Sequence, residues 1–288
     1  MQNLIGIDVG GSHVTLAQVS AEKREIVNST YVREHVDSLA DAETIFSAWT
    51  NAIEKVAVDL DKSKLIIGVA MPGPFDYEKG ISLMQQGKFI HLFEINVKEE
   101  LAKRLAINPN QIYFLNDAAA FMEGEVFGGA VQNIEKVFGL TLGTGLGSTF
   151  FNGQFATDED LWDSPFKGSI AEDFFATRWF VNRFKELTGT EIAGTKELLD
   201  QPKEIQDQIF NEYADNFAEF IVEYIIPYQP QVLVIGGNIA KAYPLFEERL
   251  HQNLKNQNSD IPVEISGIFE DAAILGSASF ALKNYSKL

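Results

Sequence analysis

The chain has 288 residues, 45% hydrophobic and 22% charged, with a formal net charge of −18 and no cysteine; that length suits one large domain or two lobes with cores of their own. The acidic balance argues against nucleic acid as a partner, since binding it needs Lys and Arg to neutralise phosphates, and the missing thiols exclude disulfides and thiolate metal sites. No apolar run reaches membrane-spanning length, and no basic segment followed by an apolar one opens the chain, so no membrane partner is expected and a cytoplasmic enzyme is the default.

In chain order, Asn3–Val9, Val14–Ser20 and Glu25–Val32 read as a three-strand meander, with Gly10-Gly11 in the first turn. From Asp41 to Val58, Ile45, Phe46, Trp49, Ile53 and Val56 recur at helical spacing. The run "KLIIGVAMPG" (64–73) predicts a buried strand, Val97–Leu105 a helix, "IYFLND" (112–117) a strand and Ala118–Phe127 a helix. The plan then restarts. Val137–Leu142 and Ser148–Phe151 are predicted strands around a second glycine turn. Ser169–Leu187, Ile205–Ile226 and Tyr243–Asn256 are predicted helices. "VLVIGG" (232–237) is a strand entering a third glycine turn, and Ala272–Leu282 is a closing helix. Two similar hairpins suggest duplicated lobes.

The glycine turns fit neither common nucleotide motif. A strand, not a helix, follows "GTGLGS" (143–148), and no Gly-Lys-Ser/Thr triplet occurs. Each turn instead resembles a β-hairpin whose tip offers backbone N–H groups and a small hydroxyl, Ser12 in one and Thr144 in the other. Such a nest suits phosphate oxygens. A single turn of this kind is as readily an ordinary glycine hairpin; the matched pair, with Asp8 at the first, favours phosphate. Asp8 beside phosphates requires an intervening cation, and Mg²⁺ held directly or through water fits one carboxylate; the alternative is an aspartate bonding its own turn. Asn116 and Asp117 stand where an apolar strand becomes a helix. Asp is a favoured helix cap, and at a sheet edge it can also accept a proton from a substrate hydroxyl.

Together these stretches resemble the ROK (repressor, open reading frame, kinase) family of sugar kinases. They are "IGIDVGGSHVTLAQV" (5–19), "GVAMPGPFDYEKG" (68–80), "LNDAAA" (115–120), "LTLGTGLGSTFFNGQ" (140–154), "VLVIGGNIA" (232–240) and "DAAILGSA" (271–278). The resemblance implies an α/β, two-lobed actin-like ATPase (ribonuclease H-like) fold with mixed sheets flanked by helices. The lobes are expected at 1–117 and 118–271, with the C-terminal helix 272–288 docking on the first. It implies ATP in a cleft between the lobes and a sugar near Asp117, the general base. Gly10, Gly11, Ser12, Gly143, Thr144 and Gly145 would hold phosphates. Gly236, Gly237 and Asn238 would lie by the nucleotide, and Asp8 would meet Mg²⁺ through water or ATP.

The departures are specific. Family members often carry a cysteine-rich zinc loop preceded by Glu-x-Gly-His; here "TDEDLWDSPFKGSIAEDFFATRWF" (157–180) occupies that region, with no Cys and no His, so no zinc is expected. Glu172 fits the place of the family's glutamate after the zinc loop, and Asp160 the place of the earlier one, which makes both sugar-binding candidates beside Asn116 and Asp117. Asp158–Asp160 also reads as a solvated acidic loop. The loop "LMQQGKFIHLFEINV" (83–97) lacks the family's Asn-Leu-Pro segment. The aromatic run from Phe174 reads as core or as the face of a homodimer. The expected activity is ATP-dependent phosphorylation of a hexose or N-acetylhexosamine, glucokinase-like and serving carbohydrate metabolism. The alternatives are a non-catalytic sugar- or nucleotide-sensing protein and a polyphosphate-dependent glucokinase.

Overall fold

A computed structural model of the chain describes residues 3–287. It divides into two compact units, Met1–Gln132 with Glu270–Leu288, and Asn133–Phe269. Each has its own apolar cluster.

In the first unit, β1 (Asn3–Val9) and β2 (His13–Ser20) form an antiparallel hairpin. Short strands β3 (Glu25–Ile26) and β4 (Val32–His35) both pair with β2. The expected third strand, Glu25–Val32, is thus broken. Asn28–Thr30 forms a 3₁₀ turn, fixed by Thr30 Oγ1, which accepts from Gln18 N–H at 2.9 Å and donates to the Val27 carbonyl at 2.7 Å. Helix α1 (Ala42–Val56) is capped by Asp41, whose side chain accepts from Thr44 N–H at 2.9 Å. The five residues read from the sequence, Ile45, Phe46, Trp49, Ile53 and Val56, lie on its buried face, together with Ala52. Strand β5 (Leu65–Ala70), buried throughout, runs parallel to β1. A small hairpin of β6 (Phe75–Asp76) and β7 (Ile81–Ser82) and helix α2 (Val97–Leu105) follow. Strand β8 (Ile112–Leu115) pairs parallel with β5, and α3 (Asp117–Phe127) begins at once.

The second unit repeats the hairpin with β9 (Val137–Leu142) and β10 (Leu146–Phe151), extended by β11 (Ala156–Asp158). After the small hairpin of β12 (Pro165–Phe166) and β13 (Ser169–Ile170) come α4 (Glu172–Phe175) and α5 (Thr177–Thr188). The single helix expected over 169–187 is therefore a strand and two helices. The break falls at Ala176, where the backbone is extended (ψ 165°) and the Thr177 N–H leaves to donate to the Gly143 carbonyl at 2.8 Å. Helix α6 (Thr195–Leu198) is short, and α7 (Lys203–Phe220) runs into a π-helical turn at Ile221–Ile225. Strand β14 (Val232–Gly236) lies parallel to β9 and to β15 (Val263–Ile265). The helix expected from Tyr243 starts later: Ile239–Leu245 is 3₁₀, with Pro244 inside it, and α8 covers Glu247–Asn256.

Helix α9 (Asp271–Tyr285) belongs to the first unit, packed on β1, β5 and α3. It sits so close because paired Gly6 and Gly68 floor its groove: a Cβ on Gly6 would meet the Ile274 carbonyl oxygen at 1.9 Å, and one on Gly68 that of Ser277 at 1.9 Å. Ser277 Oγ accepts from Ile7 N–H at 3.1 Å, and Lys283 pairs with buried Glu123 of α3 at 2.6 Å. Helix α3 accordingly sits in the first unit, with the division at 132/133 and 269/270, whereas the sequence boundary at 117/118 assigned it to the second. Among the described residues, no helix is long and apolar enough to cross a membrane.

Candidate functional site

The sheet order β3-β2-β1-β5-β8 has β1, β5 and β8 parallel, so their carboxyl ends share one edge. Asp8 lies level with Ala70, and Ala70 with Leu115. Asp8, the Met71-Pro72-Gly73 turn and Asn116-Asp117 are thereby gathered at that edge, the usual ligand-binding side of strands that run parallel. Asn116 caps α3: its Oδ1 accepts from Ala118 N–H at 2.7 Å and Ala119 N–H at 3.3 Å, and its Nδ2 donates to Tyr77 Oη at 3.4 Å. Tyr77 in turn donates to the Met71 carbonyl at 3.1 Å, tying the turn to the cap. Asp117 Oδ1 accepts from Ala118 N–H at 2.9 Å and the residue is solvent-accessible. Capping and openness to a substrate coexist in the Asn116-Asp117 pair.

The two carboxyls are perturbed in the same direction. Asp8 is pushed from its ordinary 3.8 up to about 6, mainly by burial and then by the charge of Asp117, with Arg33 and Lys88 opposing. Asp117 is also raised, by the protein crowded around its carboxyl, while its bond from Ala118 N–H and the charge of Lys88 oppose. A half-buried carboxylate repelled by its neighbour is a place where a divalent cation lowers the energy, so Asp8 fits Mg²⁺ by its chemistry. Among the described residues, no cluster of three or more His, Cys, Asp or Glu side chains could hold a metal ion by itself.

Both hairpin tips expose amides. Gly10 N–H is used by the His13 carbonyl at 2.9 Å and Gly143 N–H by the Gly145 carbonyl at 3.1 Å. The N–H groups of Gly11, Ser12, Thr144 and Gly145 have no partner among the described residues. Ser12 and Thr144 are exposed at the tips, and Ser12 Oγ bonds His13 Nδ1 at 2.9 Å. In the second unit Gly237, at φ +84°, passes against the end of β9, where a Cβ would lie 2.4 Å from the Leu142 carbonyl oxygen. This brings Gly236, Gly237 and Asn238 beside the Gly143–Gly145 tip, with Asn238 Oδ1 accepting from Lys241 at 3.1 Å.

Glu172 stands against the same tip. Its Oε2 accepts from Leu146 N–H at 3.0 Å, and its Oε1 pairs with Arg178 at 2.9 Å. Sequence reading placed Glu172 near a sugar and missed this bond to the hairpin, because the approach depends on the break at Ala176 that turns α5 toward Gly143. Asp160 is exposed at φ 49°, and among the described residues no hydrogen bond holds its side chain.

The chain resembles known proteins along most of its length. A curated glucokinase from Thermotoga maritima is 26% identical over 322 aligned positions, covering 96% of both chains. A solved ROK family glucokinase from Streptomyces griseus, in complex with glucose and AMPPNP, superposes with a TM-score of 0.70 at 19% identity, covering 97% of this chain and 99% of the other. An inorganic polyphosphate/ATP-glucomannokinase from an Arthrobacter strain gives 0.69 at 20% identity over 99% of each chain. The fold is the actin-like ATPase fold of these kinases. The ROK family profile matches residues 4–158, more than half of the chain, and the protein belongs to the ROK family.

Proposed function

We infer that this chain is a sugar kinase that transfers the terminal phosphoryl group of ATP to a hydroxyl of a hexose or N-acetylhexosamine, with Asp117 as general base. The observation that carries the reading is the pairing of Asp117 with Asp8 at the carboxyl edge of β1, β5 and β8, beside a hairpin tip with free amides. Asp117 takes the proton of the attacking hydroxyl, and its raised pKa brings a carboxylate closer to that task at neutral pH. Asn116 orients it by capping α3 and joins it in holding the sugar. The amides of Gly11, Ser12, Thr144 and Gly145 receive phosphate oxygens. Mg²⁺ bound with the nucleotide would neutralise phosphate charge, and Asp8 would hold it through water or ATP. Gly236, Gly237 and Asn238 lie along the nucleotide. Glu172, oriented by Leu146 N–H and Arg178, keeps lone pairs for a sugar hydroxyl, and Asp160 is a second acceptor that sugar would have to order. The nearness in sequence of a glucokinase supports a hexose acceptor.

The test is ADP release by purified protein with Mg·ATP over a panel of hexoses and N-acetylhexosamines, with polyphosphate as donor in a parallel arm. Sugar-dependent ADP release supports the reading. Sugar phosphorylation from polyphosphate alone reassigns the donor, and no sugar-dependent transfer in either arm overturns the kinase assignment.

A further inference from the structure

The loop 83–97, where the chain departs from the family pattern, carries a cation that no motif marks. Lys88 lies between Gly87, at φ +75°, and Phe89, at φ 55°. Its neighbour is an anchor. Phe89 is fully buried, its ring 5.3 Å from that of Trp49, and its N–H donates to the Ser38 carbonyl at 2.8 Å. The same segment reaches the first hairpin, where Val36 N–H donates to the Ser12 carbonyl at 2.9 Å. Two backbone bonds and a buried ring thus fix the loop against the hairpin tip. The stem of Lys88 then crosses Gly11: a Cβ there would lie 2.7 Å from Lys88 Cε and 2.8 Å from Cδ.

Most exposed lysines are solvated surface charges. Lys88 differs in being held at both its backbone and its stem. Its ammonium has no hydrogen bond or ion pair among the described residues. Its charge nevertheless acts on both Asp8 and Asp117, in surroundings that also include Arg33 and Glu270 around Asp8. A cation kept beside two carboxylates and over free amides, and neutralised by neither carboxylate, is arranged for an anion that arrives.

We propose that the Lys88 ammonium binds the non-bridging oxygens of the phosphoryl group during its transfer. The proposal rests on the kinase reading above and adds a catalytic residue to it. Charge on the phosphoryl oxygens and on the leaving oxygen is what such an enzyme must stabilise, and a fixed cation does so without reorganisation. Interaction concentrated in the transition state affects turnover more than sugar binding.

The experiment compares wild type with Lys88→Met, which keeps the stem across Gly11 without the charge, and Lys88→Arg, which keeps the charge. Steady-state kinetics are read for ATP and for the best sugar of the panel. Lys88→Met is expected to lower kcat about 100-fold while sugar KM changes less than about twofold; Lys88→Arg should regain at least about tenfold of that loss. An active wild type with Lys88→Met within about threefold of its kcat overturns the role of Lys88 and leaves the kinase reading standing, as does an Arg variant no better than Met. A wild type without sugar-dependent transfer overturns both. Circular dichroism checks the fold of each variant, and Lys88→Gln replaces Lys88→Met if the latter misfolds.

Discussion

Asp8→Asn should make the protein more stable and less active, and the gain should depend on pH. The carboxyl of Asp8 rises from 3.8 to about 6 in the fold because it is buried and faces Asp117. As pH increases, the unfolded chain gives up this proton first, so the fold loses stability between these two values, and the loss is constant at higher pH. A displacement of that size corresponds to about 3 kcal/mol; partial water access reduces the expectation to about 1–3 kcal/mol. Asparagine carries no charge at any of these pH values, so the variant escapes the penalty. Thermal melts without nucleotide at pH 4, 5.5 and 8 should give nearly equal midpoints at pH 4. At pH 8 the variant should melt roughly 3–8 °C higher in the transition of the first unit. Mg²⁺ with AMPPNP should then stabilise the wild type more than the variant, and sugar-dependent turnover of the variant should fall. Equal differences at pH 4 and pH 8, or a variant less stable at pH 8, would refute the electrostatic account of Asp8.

Asp117→Ala should reduce kcat by about 100-fold or more with a smaller change in sugar KM, measured by coupled ADP release; near wild-type turnover would leave Asp117 as a helix cap alone. Glu172→Gln should lower kcat/KM for the sugar by about 1.5–3 kcal/mol with ATP KM almost constant. A rise confined to ATP KM would instead make Glu172 a brace of the Gly143–Gly145 tip. Elemental analysis of untagged protein should find zinc far below one atom per chain, and stoichiometric zinc surviving chelation would contradict the reading of residues 157–180.

Much of this site was readable because it is built on strand ends and turns, where one residue type has few alternatives. Asp8, Gly10 and Gly11 terminate an apolar run, and Asn116-Asp117 terminate another; apolar runs mark buried strands, so their polar ends mark an edge. The places where sequence reading lost the chain are those set by distant partners. Glu25–Val32 is rich in strand-forming Ile, Val, Thr and Tyr, yet Thr30 reaches back to Val27 and across to Gln18 and folds the middle into a turn. The 169–187 run has helical periodicity, but the pull of Gly143 on Thr177 interrupts it at Ala176. Strand β15 has only three residues and pairs at the edge of its sheet, too short for a periodic signal. Lys88 was invisible for the same reason: its position is set by Phe89 packing on Trp49, a contact between residues forty apart in the sequence.

The glycine-floored groove under α9 also fixes an order of assembly during synthesis. Strands β1 and β5 leave the ribosome before Asn133–Phe269, and the helix that fills the groove over Gly6 and Gly68 follows the whole of that segment. Until it arrives, the groove is bare backbone and the Ile7 amide lacks the Ser277 hydroxyl. The second unit is contiguous and can close on itself as soon as its own residues emerge, so the unit begun first is completed last. A nascent chain halted before α9 therefore has its Gly143–Gly145 hairpin in a finished unit but its Asp8 and Asp117 in an unfinished one.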